Sequence, residues 1–345
     1  MHADCKVVAI TGAAGFIGSN FVRYMHQNYP DYRLIGIDNL GIGSNPDNLS
    51  GLSDNFKLAK ADISSMDQIL PLFRQEKVDY VINFAAESHN DRAIADPSPF
   101  ARTNAYGAQQ ILEASRLSGV QRHIHISTIE VYGEQDEATP FFTESSPLNA
   151  KTPYSAAKAA GDLMVRSYIQ TYENMEIFIT HCANNYGPYQ FPEKLIPLSI
   201  INVLQGKKIR LYGDGLQSRD WLHVVDHCRA IDLVLHNAQV NKNTLPIYDI
   251  SSRCEVTNQH IAQLLIQFLG KEYNDYVEHV ADRPNHDRRY LIEPKKIEDE
   301  LGFKSSVEFE QGIEETVKWY VDHPDWWGKI TENNTNLAFD WSKSA

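Results

Sequence analysis

Lys6-Val7-Val8-Ala9-Ile10 is a short apolar, β-branched run that stops at Thr11-Gly12-Ala13-Ala14-Gly15-Phe16-Ile17-Gly18, and the segment Phe16 to Gln27 beyond it has helical spacing. A buried strand, a glycine turn and a helix in that order constrain this chain more than any other feature. Gly12 permits the tight turn, Gly15 lets backbone amides approach a pyrophosphate, and Gly18 lets the helix lie close on the sheet. The helix N-terminus adds a positive dipole end. The next strand, Leu34-Ile35-Gly36-Ile37, ends at Asp38, an acid about 20 residues downstream. A carboxylate there hydrogen-bonds a ribose diol and repels a 2′-phosphate, so the turn is read as a site for NAD rather than NADP.

The first half continues the alternation. Phe56 to Ala61, Tyr80 to Ala85, His123 to Ile126 and Ile177 to Ile179 read as strands, and Thr103 to Leu117 and Tyr154 to Tyr172 as helices. That rhythm predicts an α/β fold, a Rossmann-type doubly wound parallel sheet covered on both faces. After Gly187 the pattern breaks at Pro188, Pro192 and Pro197, and shorter helical segments follow. With 345 residues there is chain for about two lobes. The expected division is 1–187 for the cofactor-binding and catalytic part, 188–330 mainly for a smaller mixed α/β substrate lobe, and 331–345 as a polar tail.

Charge and cysteines narrow the partners. The 32 basic and 45 acidic residues give a formal charge of −13, a poor surface for nucleic acid. An anionic ligand must be held by local groups against that field. Four widely spaced cysteines, Cys5, Cys182, Cys228 and Cys254, form no CxxC pair, which fits a reducing cytoplasm. No segment has the pattern of a secretory leader or the roughly 20 apolar residues of a membrane span. His123 and His125 share one strand face, but no third ligand can be placed, so no metal site is expected.

Tyr154-Ser155-Ala156-Ala157-Lys158 puts a phenol and an ammonium at i and i+4 of one helix. An ammonium beside a phenol lowers its pKa from about 10. Such a phenolate can take a sugar hydroxyl proton while hydride leaves to nicotinamide. Ile126-Ser127-Thr128 upstream ends a strand, where open α/β sheets bind ligands.

Longer tracts carry a resemblance. They are Phe84-Ala85-Ala86-Glu87-Ser88-His89, Asp91-Arg92, Thr103-Asn104, the run Asn184 to Pro197, Arg219-Asp220-Trp221, and Asp282-Arg283-Pro284 with His286-Asp287-Arg288-Arg289-Tyr290. Over roughly residues 5 to 320 the chain resembles the extended short-chain dehydrogenase/reductases that act on nucleotide sugars, in particular their 4,6-dehydratases. The resemblance implies a nucleotide-diphosphate sugar as substrate, dTDP-glucose-like, and a homodimer paired through the helices at Thr103 to Leu117 and Tyr154 to Tyr172. It implies Thr128, Glu130, Tyr154 and Lys158 as catalytic residues. NAD would meet Gly12, Gly15, Phe16, Ile17, Gly18, Asp38, Asn39, Asp62, Ile63, Ala85, Tyr154 and Lys158. The sugar nucleotide would meet Ser88, His89, Asn104, Asn184, Lys194, Leu195, Arg219, Arg283 and His286.

Two positions depart from the family pattern. Its Thr-Asp-Glu run reads Thr128-Ile129-Glu130 here, so the acid that protonates the leaving 6-hydroxyl is an isoleucine. Glu130 serving both proton transfers, a water, or another carboxylate are the candidates to supply that proton. A nucleotide-sugar 4-epimerase or a nucleotide-uronate decarboxylase needs no acid there and is the alternative; a non-catalytic NAD-binding sensor is a weaker third. Further on, the asparagine that helps hold the diphosphate is replaced by Cys254, with Arg253 a candidate to compensate.

Overall fold

The computed structural model describes residues 5–136, 138–241 and 244–333. The chain runs through β1 (Val7–Thr11), β2 (Arg33–Asp38), β3 (Phe56–Lys60), β4 (Tyr80–Asn83), β5 (Arg122–Thr128), β6 (Glu176–Cys182), β7 (Asn184–Tyr186), β8 (Ile209–Tyr212), β9 (Ser218–His223), β10 (Ile247–Ile250), β11 (Glu255–Thr257) and β12 (Val277–Val280). Seven of these form one sheet in the order β3-β2-β1-β4-β5-β6-β10, and every neighbouring pair in it is parallel.

The sheet follows from the apolar runs. Side chains alternate between faces, so Val8 and Ile10 join Phe21, Ile124 and Phe178 in one core. Val7 and Ala9 join Ile35, Val81, Ile177 and Ile179 in the core on the other side. β1 and β10 are buried along their whole length, as strands of a parallel sheet covered on both faces must be. The strand order reverses between β1 and β4, which opens a crevice at their carboxyl ends.

The helices differ in one instructive place from their expected form. Pro153–Thr171 is a regular helix, begun by a reciprocal Thr152–Ser155 capping box with Pro153 at its first position. The segment expected to be one helix from Thr103 to Leu117 is a π-helical turn, Ala101–Gly107, followed by an α-helix, Ala108–Ser118. Contacts on both sides hold the wide turn. Asn104 is hydrogen-bonded to the backbone of Glu87, and its carbonyl lies where a Cβ on Gly161 would come within 2.4 Å. Wide turns of this kind gather at functional sites.

The second half builds a smaller lobe and also returns to the first. A three-stranded sheet β11-β9-β7 and the pair β12-β8 surround a core that includes Ile200, Leu211, Trp221, Ile261, Leu265 and Tyr320. β10 rejoins the large sheet, and the helix Val224–Asn237 buries Ile231, Val234 and Leu235 against it. Trp319 and Trp326 pack edge to face with ring centroids 5.0 Å apart, within that lobe's core. A last helix, Pro324–Asn333, follows; most of the expected polar tail lies outside the described residues.

Candidate active site

A cavity of about 460 Å³ runs from the glycine turn across the carboxyl ends of β1, β4, β5 and β6 into the smaller lobe. Its first end is made of backbone. Gly12 has φ +63°, and a Cβ there would lie 2.9 Å from the Ala85 nitrogen. A Cβ on Gly18 would lie 2.1 Å from the Gly12 carbonyl oxygen. Asp38 is buried and accepts hydrogen bonds from Ala14 N (3.0 Å), Leu40 N (2.8 Å) and Ser44 Oγ (2.7 Å). It therefore holds the turn in shape as well as facing the cavity.

Gly12, Gly15, Phe16, Ile17, Gly18 and Asp38 all line this end, with Ile42, Gly43 and Ser44. Four residues expected here do not reach the wall. Asn39 closes a local turn onto Gly41 N, and Asp62 does the same for Ser64. Ile63 packs into the core, its Cδ1 where a Cβ on Gly107 would come within 2.9 Å. Ala85 donates its N–H to Thr11 Oγ1 at 3.1 Å. Two are spent on turn chemistry, one on packing and one on bracing the glycine turn.

Thr128, Glu130, Tyr154 and Lys158 meet at the middle of the cavity. Thr128 ends β5, and its hydroxyl caps the 3-10 turn Ile129–Tyr132 by accepting from Glu130 N at 3.3 Å. Glu130 Oε2 accepts from Asn90 Nδ2 at 3.0 Å. Asn90 in turn accepts from Thr152 Oγ1 at 3.1 Å, so one amide ties the Glu130 turn to the start of the tyrosine–lysine helix. Nothing in the residue pattern marked Asn90, although it stands next to the Asp91-Arg92 tract.

The expected lowering of the phenol by its lysine is not what the structure holds. Lys158 Nζ donates to the Ile126 carbonyl at 2.7 Å. Burial, with the Glu130 carboxylate next in weight, pushes Tyr154 well above the usual phenol range, and the Thr128 hydrogen bond works against them. Burial also lowers Lys158. The spacing i, i+4 set both side chains on one helix face, but the nearest strong acceptor decided where the ammonium went.

Ile129 is fully buried and packs with Val131, Tyr132, Ala159, Tyr290 and Ile292, away from the cavity wall. The only carboxylate that the Thr128-Ile129-Glu130 run presents to the cavity is Glu130. Glu87 also lines the cavity, with its carboxyl raised by burial.

Side chains build the far end. Ser88, His89, Asn184, Lys194, Leu195, Arg219, Arg283 and His286 line it. Arg283 pairs with Asp91 at 2.7 Å, and Arg219 lies over the Tyr290 ring, 4.2 Å from its centre, while donating to the Asp287 carbonyl. Burial lowers His89, and it lowers Lys194 as well. Trp221 and Ser127 also line the cavity; the indole N–H and the hydroxyl are buried without a hydrogen-bond partner. Asn104 is not on the wall; it braces Glu87 instead. Cys254 and Arg253 are absent from it too. Arg253 pairs with Glu293 and Glu298, so it does not replace the missing asparagine.

This arrangement has close counterparts. The family model described as GDP-mannose 4,6 dehydratase matches residues 9–316. A dTDP-glucose 4,6-dehydratase of Streptomyces niveus is 42% identical over 326 residues, covering 93% of this chain and 94% of that one. One from Neisseria meningitidis is 38% identical over 353 residues, covering 96% and 98%. The crystal structure of DesIV, a dTDP-glucose 4,6-dehydratase from Streptomyces venezuelae with NAD bound, matches with a TM-score of 0.88 and 42% identity over 94% of this chain and 99% of that one. A UDP-glucose 4-epimerase of Thermotoga maritima shares the scaffold with a TM-score of 0.83 at 26% identity, over 92% and 99%. The chain belongs to the GDP-mannose 4,6-dehydratase family, among the nucleotide-sugar epimerases and dehydratases of the extended short-chain dehydrogenase/reductases.

Proposed function

We propose that the protein is an NAD-dependent nucleotide-sugar 4,6-dehydratase, a hydro-lyase acting on dTDP-glucose. The observation that carries this reading is the meeting of Thr128, Glu130 and Tyr154 between a glycine turn at one end and a cationic wall at the other. A dinucleotide fits the first end, because Gly12 and Gly18 leave no room for a Cβ where the turn closes and Asp38 faces the cavity beside it. Gly12, Gly15, Phe16, Ile17, Gly18 and Asp38 would hold NAD there, with Tyr154 and Lys158 at its nicotinamide end. Bound NAD supplies a hydride acceptor for C4 and returns the hydride to C6.

Ionised to the phenolate, which the Thr128 hydrogen bond favours against burial and Glu130, Tyr154 takes the proton of the 4-hydroxyl. The 4-keto group that results acidifies the C5 proton, and Glu130 removes it. Glu130, now protonated, delivers that proton to the 6-oxygen as water leaves, which would do the work of the acid missing at Ile129. Asn90 holds the carboxylate oriented for both steps. Lys194, Arg219, Arg283 and His286 hold the diphosphate and the nucleoside. An arginine fork suits two phosphates in a chain of net charge −13.

The same reading includes a homodimer in the cytoplasm. Tyr106, Leu117, Leu163 and Met164 are exposed on the helices expected to pair, which a twofold mate would cover. No described helix is long and apolar enough to cross a membrane. Incubation with dTDP-, UDP-, GDP- and CDP-glucose and with a nucleotide-glucuronate, read by product mass, tests the reaction. Loss of one water from dTDP-glucose is expected. Unchanged mass with inverted stereochemistry would replace this reading with an epimerase, and loss of carbon dioxide from a nucleotide-uronate would replace it with a decarboxylase.

A further inference from the structure

Beneath the catalytic groups lies a set of buried charges that the proposed reaction leaves unused. His181, in β6, has a carboxylate at each ring nitrogen. Nε2 is 3.0 Å from Asp162 Oδ2, and Nδ1 is 3.1 Å from Asp249 Oδ1. All three side chains are fully buried. The Tyr132 hydroxyl stands 2.7 Å from Nδ1 and donates to Asp249 Oδ1 at 2.9 Å. A neutral imidazole has one N–H and would turn a lone pair toward the second carboxylate. A neutral ring could donate from Nε2 to Asp162 and accept the Tyr132 hydroxyl at Nδ1, but Asp249 Oδ1 would then lose both of its donors, whereas an imidazolium serves both carboxylates and leaves the Tyr132 hydroxyl to Asp249. Each carboxylate then has a cation, and the triad approaches charge balance with Lys158, one helical turn before Asp162.

The two ends of this triad are the two catalytic segments. Asp162 lies on the helix that presents Tyr154 and Lys158, four residues past the lysine. Tyr132 closes the 3-10 turn that presents Glu130, two residues past the glutamate. A buried ion triad is an expensive way to fill a core, since apolar side chains of similar volume are often as stable or more so. What it adds is fixed geometry and a fixed charge.

We propose that His181, held as an imidazolium between Asp162 and Asp249, is a positioning residue that locks the Glu130 turn to the tyrosine–lysine helix and sets the field in which Tyr154 ionises. The groups that face it are Asp162 from the helix Pro153–Thr171, Asp249 from β10, His125 from β5 and Tyr132 from the turn; Lys158 stands behind Asp162, and Glu144 and Lys296 stand behind Asp249. The two carboxylates outweigh burial and hold His181 up at about 9, whereas burial drives neighbouring His125 well below the usual histidine range, so one cation is shared rather than two.

The inference rests on the dehydratase reading for its kinetic arm only. In the NAD-loaded protein, imidazole ¹H–¹⁵N spectra are expected to show both His181 nitrogens protonated at pH 7.5; one unprotonated nitrogen overturns the proposal without any turnover. Tyr132→Phe keeps the ring and removes only the hydroxyl. It is expected to lower kcat for water loss by about 10- to 100-fold, with KM for dTDP-glucose and NAD content unchanged. A wild-type kcat overturns the positioning role.

The pH profile gives a sign that simple destabilisation does not. His181→Asn removes a cation, makes the phenol harder to ionise, and moves the acidic limb of kcat up by roughly 0.5–1 unit. If His181→Asn alone does not fold, the imidazole spectrum and the Tyr132→Phe kcat decide the proposal. Limbs that stay in place in folded variants overturn the electrostatic role. A wild-type enzyme that releases no water from any nucleotide sugar overturns the dehydratase reading and leaves the spectroscopic result to decide the imidazolium.

Discussion

The two ends of the cavity are built by opposite means. At the glycine end the wall is backbone, closed by Gly12 and Gly18 within a few residues of sequence, and one side chain, Asp38, holds it. At the catalytic and substrate end the wall is side chains from distant segments, each held by another. Asn90 holds Glu130, Asp91 holds Arg283, Glu193 holds Arg92, and the Ile126 carbonyl holds Lys158. A backbone wall tolerates changes of charge and fails on added volume. A side-chain wall tolerates small changes of volume and fails when a partner or a proton is lost.

Substitutions that remove a proton carrier from the side-chain end give the largest expected effects. Tyr154→Phe keeps the buried ring and should reduce turnover by about 10³- to 10⁴-fold, with NAD binding within a few-fold of wild type. Calorimetry beside a turnover assay checks both halves. Glu130→Gln should cost about 10²- to 10⁴-fold in water loss, while C4 oxidation survives as a transient NADH absorbance. A variant that eliminates water at the wild-type rate would show that another carboxyl, Glu87 first, serves C5.

Added volume probes the backbone end. Gly18→Ala places a Cβ 2.1 Å from the Gly12 carbonyl oxygen and must move backbone, costing about 1–3 kcal/mol of stability. NAD affinity should fall with it, and denaturant unfolding with and without NAD separates the two effects. Equal stability would mean that the turn is softer than its contacts indicate.

Ile129→Asp tests which kind of wall the missing acid belongs to. The position is fully buried in an apolar cluster away from the cavity. A carboxyl there should lower stability by about 1–3 kcal/mol and leave the elimination rate within about twofold. A rate gain of tenfold or more would mean that the side chain can reach the substrate after all. The smallest effect is expected from Cys254→Ser. Neither Cys254 nor Arg253 lies on the wall, so KM should stay within about twofold. A larger change would place the diphosphate nearer β11 than the cavity shows.

Legibility follows the same division. The glycine turn, Asp38 and the sheet were readable because each depends on neighbours within about one βαβ unit: apolar period, turn chemistry and helix start act locally. The tyrosine–lysine face was readable for the same reason, since i, i+4 spacing is a local rule. The π-helical turn at Ala101–Gly107 was not, because Asn104 and Gly161, which hold it, are far apart in sequence. That Asn39, Asp62, Ile63 and Ala85 stand off the cavity wall, in local turns, packing or bracing, is something only coordinates reveal.

The sequence by itself determined the parallel sheet, the dinucleotide turn and the residue types that carry the chemistry, because strand burial, glycine stereochemistry and helix spacing are properties of short segments. Only the tertiary structure decided where Lys158 points, that Ile129 lies in a core and not on the cavity wall, that Asn90 hydrogen-bonds Glu130, and that His181 sits between two carboxylates. Each of those depends on which charged or apolar group from a distant segment arrives first at a buried atom. In a low-dielectric interior that nearest partner outweighs any preference the segment has alone.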